Sequence, residues 1–297
     1  MFEFIKRIFP DKSGADIEWD QASLTDSRGN LLVEEKPLSR TKYRVASCQS
    51  AGIERSHNED SLFTFDSLLA GLESSSHFGL YLVADGMGGH QGGEIASTLA
   101  AQGAGNYLLA HVFAPLMIDR QSISGEDFEQ LLREAVEEAQ KLIRQRVPGG
   151  GTTLTLALAI DDQIYVAQVG DSRLYLIKPD GETILKTRDH SLVKRLVDLG
   201  EITEDEASVH PQRNILYRAL GQMDPFEPDI GSFPVAEGDR LLICSDGLWS
   251  VVPEGEILEI LKKCGANLEK GACDLVNAAN HLGGPDNISV ILVERII

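Results

Sequence analysis

The stretch TTLTLALAIDDQIYVAQVGDSRLYLIKPDGETILK, residues 152–186, decides the fold. The link between its first and second apolar runs is short enough for a tight turn, and so is the link between its third and fourth runs. Such spacings predict an antiparallel meander over 152–187. Several of the runs are apolar at almost every position, which is typical of strands that are covered on both faces. The runs are 152–160, 163–169, 173–178 and 183–186.

Helices are predicted between groups of strands rather than after every strand. Apolar residues recur at helical spacing in these segments, for example on one face of 127–147. Antiparallel strands with segregated helices indicate an α+β domain rather than a doubly wound parallel sheet. The predicted helices are 92–112, 127–147, 253–264 and 267–282, and the further strands are 43–48, 61–65, 78–84, 240–245 and 288–293.

Two segments differ from this pattern. Residues 1–40 begin with the amphipathic run MFEFIKRIFP and then show no sustained period, so they are predicted to be a partly ordered N-terminal extension. Docking of that run on a partner or a membrane surface is the alternative. Residues 192–221 are polar, helical in pattern and broken at Gly200 and Pro211. We expect them to form a lobe beside the sheet that acts as a lid or substrate-binding flap.

Composition excludes several classes of protein. The chain has 297 residues, of which 42% are hydrophobic and 25% charged, as in an ordinary globular protein. Its net charge of -19 makes nucleic acid and anionic membranes poor partners. No apolar stretch approaches the roughly 18 residues of a membrane-spanning helix. The cysteines lack CxxC spacing and no secretory signal precedes them, so we expect a cytoplasmic protein.

Four aspartates lie at or near the edges of apolar runs, beside glycine or proline. They are Asp85, Asp171, Asp246 and Asp286, in FGLYLVADGMGGH, IYVAQVGDSR, RLLICSDG and GGPDNISVILV. Each has a plain alternative: an ion pair with Arg173 for Asp171, and a turn for the other three. A carboxylate beside a buried strand is costly unless a cation or several donors compensate its charge. Together they predict a site for hard divalent cations, and the lack of Cys or paired His ligands favours magnesium or manganese over zinc.

A second group of candidates surrounds Arg55, in AGIERSHNEDSLF. The Arg55 guanidinium could offer two parallel donors to phosphate oxygens, and the alternative is a surface ion pair with Glu54 or Glu59. Asp60 is a candidate for holding metal-bound water from behind the ligands. His90, near the glycine-rich turn, is a candidate proton donor, although a lone histidine is more often structural.

Eight strings follow one another along this chain: SAGIERSHNED, LVADGMGGHQGGEIAS, GGTTLTLALAI, IYVAQVGDSRLYLI, TRDHSLV, HPQRNILYRALG, LLICSDGLW and GGPDNISVILV. They occur in the order found in the protein phosphatase 2C family, and the chain resembles the bacterial branch of that family. The match covers roughly residues 43–295, with DGMGGH in place of the eukaryotic DGH. The resemblance implies a β-sandwich of two antiparallel sheets flanked by helices, with 41–297 as the catalytic domain and about 192–221 as its flap.

The resemblance also implies a ligand set. Asp85 would bridge two ions, and the Gly86 carbonyl would bind one of them. Asp246 and Asp286 would ligate the other ion. Asp171 would match the family aspartate that binds a third, weaker metal, shared with Asp246. The expected cofactors are therefore two or three Mg²⁺ or Mn²⁺ ions.

The implied reaction is hydrolysis of phosphoserine and phosphothreonine in proteins. A water or hydroxide that bridges the ions would attack phosphorus directly, so no protein nucleophile is needed. Arg55 would hold the substrate phosphate, and His90 or metal-bound water would protonate the leaving oxygen. We expect phosphorylated protein substrates, an opposing serine/threonine kinase and a monomeric enzyme.

Two other functions stay open from the sequence. One is a pseudophosphatase that acts as a regulatory binding module, although such proteins usually lack a metal aspartate or the arginine. The other is hydrolysis of a small phosphate ester or a phospholipid.

Overall fold

The computed structural model describes residues 43–70, 75–87, 91–118, 125–222 and 226–296. The strands are β1 (Tyr43–Ser50), β2 (Ser61–Ala70), β3 (Ser75–Ala84), β4 (Gly86–Met87), β5 (Gly151–Thr152), β6 (Leu154–Ile160), β7 (Gln163–Val169), β8 (Arg173–Ile177), β9 (Thr183–Leu185), β10 (Asp229–Pro234), β11 (Arg240–Cys244) and β12 (Ile288–Arg295). The helices are α1 (Gln91–Leu108), which continues as a π-helical turn (Leu109–Phe113), α2 (Ala114–Ile118), α3 (Gly125–Arg146), α4 (Leu192–Asp198), α5 (Glu204–Ser208), α6 (Asp246–Trp249), α7 (Glu254–Cys264) and α8 (Leu268–His281).

The strands form two five-stranded sheets. The first sheet has the order β1-β12-β11-β8-β9 and the second the order β10-β7-β6-β3-β2, while β4 and β5 form a short separate ladder. All of these neighbours pair in antiparallel fashion. The structure therefore confirms the predicted α+β sandwich of two antiparallel sheets with helices.

The strands are apolar at nearly every position because both of their faces are covered. In β12, Val290 and Leu292 belong to a buried cluster that includes α7 and α8. Ile291 and Val293, which point the other way, join a cluster between the sheets that also contains Tyr81 of β3. A third cluster packs α1 and α3 on the outer face of the second sheet. The result is four layers, with one apolar core between the sheets and one under each helical layer.

The predicted meander over 152–187 is wrong in one respect, since its strands belong to two sheets. β6 pairs with β7 in the second sheet, and β8 pairs with β9 in the first. The chain changes sheet between β7 and β8, where Gly170 has a φ of 99°. A Cβ on Gly170 would also approach Thr153 Cγ2 to 2.5 Å. The turn spacings do predict both hairpins, but a short link looks the same whether the next strand pairs with the last or leaves its sheet.

The region 192–221 contains the two short helices α4 and α5, followed by turns. Ser191 caps α4 by accepting from the Lys194 backbone N–H at 3.3 Å. The ends of the region are held together, since the Leu192 N–H donates to Ile215 O at 2.8 Å. Its role as a flap stays a prediction.

Two of the expectations from the sequence concern residues that the structure does not describe. Residues 1–40, the predicted extension, lie outside the described residues, and so does His90. β10, which pairs with β7, was not predicted, because DIGSFP is short, polar and ends in proline. In the part of the chain that the structure describes, no helix has the length and hydropathy needed to cross a bilayer.

Candidate active site

Strand ends from both sheets meet at one end of the sandwich. β3 ends one residue before Asp85, and β7 ends two residues before Asp171. In the first sheet, β11 ends just before Ser245 and Asp246. Beside this end of β11, Asp286 precedes the start of β12. Antiparallel pairing brings these ends to the same side, so the four aspartates that the sequence singled out come together.

These residues line one cleft with a volume of about 530 Å³. The wall includes most of the candidates from the sequence: Arg55, Asp85, Gly86, Asp171, Asp246 and Asp286. Asn214 and Leu216 of the 192–221 region form part of the same wall. Charged and polar residues make up most of this wall, and Met87 and Leu216 are its large apolar side chains, so a charged, hydrated ligand fits the cleft better than an apolar one.

Glycines let the backbone segments of the cleft approach each other closely. A Cβ on Gly247 would come within 2.0 Å of Asn287 O, and one on Gly52 within 2.2 Å of Asp286 O. Real Cβ atoms do not make such contacts, so both positions require glycine. The segments that carry Asp246 and Asp286 are therefore spaced by direct backbone packing.

Asn287 ties the Arg55 loop to the start of β12. Its Nδ2 donates to Ala51 O and His57 O, both at 2.9 Å, and its Oδ1 accepts from the Glu59 N–H at 2.7 Å. Sequence reasoning missed this residue, because an asparagine after a turn aspartate carries no distinctive pattern. Its burial and its three bonds give it a positioning role for the loop.

Two threonines hold the backbone of Asp85. Its N–H donates to Thr153 Oγ1 at 2.9 Å, and its carbonyl accepts from the Thr153 N–H and from Thr152 Oγ1, both at 2.8 Å. The β-branched threonines have few χ1 rotamers, so these contacts are rigid. These bonds fix the Asp85 backbone at the end of the second sheet, and with it the position from which the carboxylate projects.

Asp60 is buried beneath the cleft. Its Oδ2 accepts from Ser245 Oγ at 2.8 Å and from Ser289 Oγ at 2.7 Å. Ser245 directly precedes Asp246, so Asp60 supports the segment that carries a candidate ligand. This position agrees with the expectation that Asp60 acts from behind the ligands, and that role stays a prediction.

Asp171 does not form the ion pair with Arg173 that was its alternative interpretation. The Arg173 guanidinium instead binds Asp189, with Nη2 to Oδ2 at 2.7 Å, and stacks 3.5 Å from the centroid of the Trp249 ring. Trp249 Nε1 donates to the Asp171 carbonyl at 3.0 Å. Asp171 is thus buried with its carboxylate left for other partners in the cleft.

Arg55 does not pair with Glu54 or Glu59 either. Its Nη2 donates to Asp286 Oδ2 at 2.7 Å, and its Nε to Pro285 O at 3.4 Å. Glu59 binds His57 instead, with Oε1 3.0 Å from Nε2. About half of the Arg55 side chain is exposed, so the guanidinium can reach a ligand in the cleft.

The charge of several buried carboxylates in the cleft is only partly compensated. Burial raises the pKa of Asp85 and Asp171 well above the usual range, and neighbouring carboxylates raise it further. Burial likewise raises the pKa of Asp246 to about 6 and that of Asp60 to about 7. Two buried oxygens, Asp60 Oδ1 and Asp246 Oδ1, have no hydrogen-bond partner among the described residues. A divalent cation would compensate the buried negative charge and would also give these two oxygens a partner, so the donor set fits a divalent cation.

Within the described ranges, no three Asp, Glu, His or Cys side chains are arranged so that they could hold a metal ion by themselves. This does not conflict with the fit, because Mg²⁺ keeps several waters and binds through only one or two carboxylates. Asp85 and Asp246 both line the cleft. Such a pair, together with a backbone carbonyl, is a sufficient protein contribution.

Comparison with known proteins shows the family of this chain. The family model described as protein phosphatase 2C matches residues 53–277. The serine/threonine phosphatase stp of Listeria innocua is 40% identical over 247 residues, which cover 81% of this chain and 91% of that protein. Among solved structures, the Streptococcus agalactiae serine/threonine phosphatase has a TM-score of 0.73 and 32% identity, over 85% of this chain and 99% of that one.

A second solved structure bears on the metal. The catalytic domain of the serine/threonine protein phosphatase PstP, in complex with two manganese ions, has a TM-score of 0.67 and 32% identity, over 86% of this chain and 99% of that one. The family match covers most of the described domain, and the sequence relatives share its length. The chain therefore belongs to the protein phosphatase 2C family, whose members are metal-dependent serine/threonine phosphatases.

Proposed function

We propose that this phosphatase hydrolyses phosphoserine and phosphothreonine in proteins, using divalent cations held in the acidic cleft. The observation that carries the proposal is the meeting of Asp85, Asp171, Asp246 and Asp286 with Arg55 around one cavity. Carboxylates alone would repel a phosphate, so this combination suits a phosphate ester only when cations bind between the carboxylates and the phosphate. An arginine at the rim then supplies directional donors for the phosphate oxygens.

The ligand assignment follows the positions around the cleft. Asp85 and the Gly86 carbonyl, with Asp246 and Asp286, would hold two Mg²⁺ or Mn²⁺ ions. Asp171 would hold a third ion together with Asp246. When bound, such ions supply Lewis acidity and make coordinated water acidic enough to provide a nucleophile near neutral pH. The chain itself fixes the carboxylate oxygens through the glycine contacts and the threonine bonds to the Asp85 backbone.

Arg55 would orient the substrate phosphate. Its guanidinium compensates Asp286, and a cation on that carboxylate would take over this task. The guanidinium would then offer two parallel donors to phosphate oxygens, in a fork geometry that lysine lacks. Charge that builds up on those oxygens as the ester bond breaks would be stabilised by the same donors.

The leaving serine or threonine oxygen needs a proton. His90 is the candidate from the sequence and lies outside the described residues, so this role stays a prediction. Metal-bound water is the other candidate. Turnover of a His90→Asn variant over a range of pH would separate them, since loss of a histidine acid removes the limb of the pH profile on its basic side.

The position of Asn214 and Leu216 favours a protein as the substrate, because these residues extend the cleft wall onto the exposed 192–221 region. A cleft that opens beside a lobe of this kind accommodates a phosphorylated side chain that projects from the broad surface of a protein. Action opposite a serine/threonine kinase, a monomeric state and a cytoplasmic location remain part of the proposal as the sequence predicted them.

The test is hydrolysis of a phosphothreonine peptide and of p-nitrophenyl phosphate by the purified chain, with manganese and with EDTA. We expect activity with manganese, loss of it in EDTA, and a higher kcat/KM for the phosphopeptide than for the small ester. Asp85→Ala and Asp246→Ala should fold but lose turnover and manganese affinity in calorimetry. Asp180→Ala, in the exposed β8–β9 turn, is the matched control and should change neither.

The outcome also decides between the alternative functions. Unchanged turnover in Asp85→Ala or Asp246→Ala would contradict the metal assignment. Manganese binding without any turnover would favour the pseudophosphatase. A preference for the small ester over the phosphopeptide would favour a small-molecule phosphatase.

A further inference from the structure

Two cysteines lie against each other on the face of the first sheet that α8 covers. Cys48 is in β1 and Cys273 is in α8, and their Sγ atoms are 2.7 Å apart. Both are free thiols. Non-bonded carbon atoms, which are smaller than sulfur, pack at about 3.5–4.0 Å. No other atom can therefore lie between these two sulfurs.

The two sulfurs differ in exposure. Cys273 is exposed, whereas Cys48 lies half-buried under it. Burial and the contact with Cys273 raise the pKa of the Cys48 thiol to about 11, so Cys48 is a neutral thiol near pH 7. An oxidant in solution would thus reach Cys273 first, with Cys48 placed to attack it afterwards.

The other two cysteines serve as internal references. Cys244 and Cys264 are both free and buried, and Cys264 Sγ donates to Leu261 O at 3.2 Å. Burial also raises the pKa of Cys244 to about 12. Such thiols behave as small core residues and are inert to reagents in solution.

We infer that Cys48 and Cys273 form a reversible disulfide by exchange with a low-molecular-weight disulfide, and that this bond fastens β1 to α8 behind the active site. In the first step the Cys273 sulfur attacks one sulfur of the reagent, forms a mixed disulfide and releases one thiol. In the second step Cys48 loses its proton to solvent, its thiolate attacks Cys273 Sγ, and the second reagent sulfur leaves as a thiolate that takes up a proton. The two protein thiols are oxidised, the reagent disulfide is reduced to two thiols, and both protons leave with them.

Closing the bond requires little movement. A disulfide bond is about 2.04 Å long, so the sulfurs need to approach by only about 0.7 Å (2.7 minus 2.0). Rotation of the two side chains is the movement that would bring the sulfurs together. The bond also joins residues 225 positions apart in sequence, and links across long loops restrict the unfolded chain most.

The linked elements are the ones that support the Arg55 loop. Asn280 of α8 donates through Nδ2 to Ser50 Oγ at the end of β1, at 3.1 Å. Just beyond α8, Gly284 O accepts from the Ile53 N–H at 2.8 Å. A covalent link between β1 and α8 would therefore reinforce contacts that the loop already uses.

The test uses the full chain and oxidised glutathione, and it does not depend on phosphate hydrolysis. After treatment, the intact mass should fall by two hydrogens, and a non-reducing peptide map should contain a Cys48–Cys273 cross-link. Dithiothreitol should reverse both changes. Thermal unfolding should shift upward by roughly 5–10 °C, as expected of a native disulfide in a domain of this size.

Variants make the result specific. Cys48→Ser and Cys273→Ser should each lose the cross-link and the thermal shift, whereas Cys264→Ser should keep both. A lasting mixed disulfide of glutathione on Cys273, with Cys48 still reactive to maleimide after denaturation, would overturn the inference. So would a cross-link that leaves the unfolding temperature unchanged or lower.

Discussion

Replacing Gly247 with alanine should lower kcat/KM by about two orders of magnitude while the domain stays folded. Gly247 follows Asp246 in α6, and its Cα faces the backbone of Asn287. The new Cβ would lie 2.0 Å from Asn287 O and 2.9 Å from Asn287 C. Both are backbone atoms, so no side chain can rotate away to make room.

The size of the effect follows from the distance. An ordinary contact begins at 3.4 Å, so the segments that carry Asp246 and Asp286 must separate by about 1.4 Å (3.4 minus 2.0). A misplacement of about 1 Å in a catalytic group can cost 100-fold, equivalent to about 2.7 kcal/mol of transition-state stabilisation. Overpacking should also lower the free energy of unfolding by about 1–3 kcal/mol.

The assay is steady-state hydrolysis of p-nitrophenyl phosphate with saturating manganese, together with thermal unfolding. Gly255→Ala in α7 is the matched control, because a Cβ there meets nothing within 4 Å. It should keep full activity and change stability by no more than about 1 kcal/mol. A Gly247→Ala protein with wild-type kcat/KM would refute the view that backbone packing sets the spacing of the carboxylates.

Three further changes test other parts of the site. Arg55→Ala should raise KM roughly 10- to 100-fold, with a smaller fall in kcat, if its main task is to bind ground-state phosphate; steady-state kinetics that show only a kcat effect would contradict this. Trp249→Phe removes the donor to the Asp171 carbonyl and should lower the free energy of unfolding in urea by about 1–2 kcal/mol; an unchanged midpoint would count against that bond. Burial lowers the pKa of His190 from its usual 6.5, so below pH 6.5 the unfolded chain binds more protons there than the folded one, and the contribution of His190 to stability should fall as the pH drops from 7.5 to 5.5, whereas the buried carboxylates with raised pKa act in the opposite direction. His190→Asn lacks this contribution, so its stability relative to the wild type should rise as the pH drops over this range, and a constant difference between the two proteins would contradict the role of His190.

The sequence predicts the layers of this fold well because apolar runs and turn spacings report directly on burial. It also singles out the strand-end aspartates, which the structure places around one cleft. It does not predict that the chain changes sheet at Gly170, because a run that is apolar on both faces does not indicate which neighbour it joins. The supporting residues Asn287, Ser245 and Ser289 are missed for a different reason. Serine and asparagine are frequent in turns, and only the folded geometry gives them their bonds.

Arg55 shows how an alternative can be decided only in three dimensions. From the sequence, Glu54 and Glu59 are its nearest acidic neighbours, and both were plausible ion-pair partners. The guanidinium instead reaches Asp286, which is 231 positions away. Glu59 is occupied by His57, and the loop is held by Asn287. Long-range contacts of this kind have no local signature.

The pairing of β1 with β12 has a practical consequence for tethering this enzyme. Tyr43 lies opposite Arg295, and Ser50 and Ile288 are at the other ends of the same strands, where the neighbouring Asn287 lines the cleft. Seven residue steps of about 3.4 Å separate the two ends, so Tyr43 and Arg295 lie side by side roughly 24 Å from the cleft end of these strands. A fluorescent fusion or a surface linker attached after Arg295 would therefore face away from an incoming phosphoprotein.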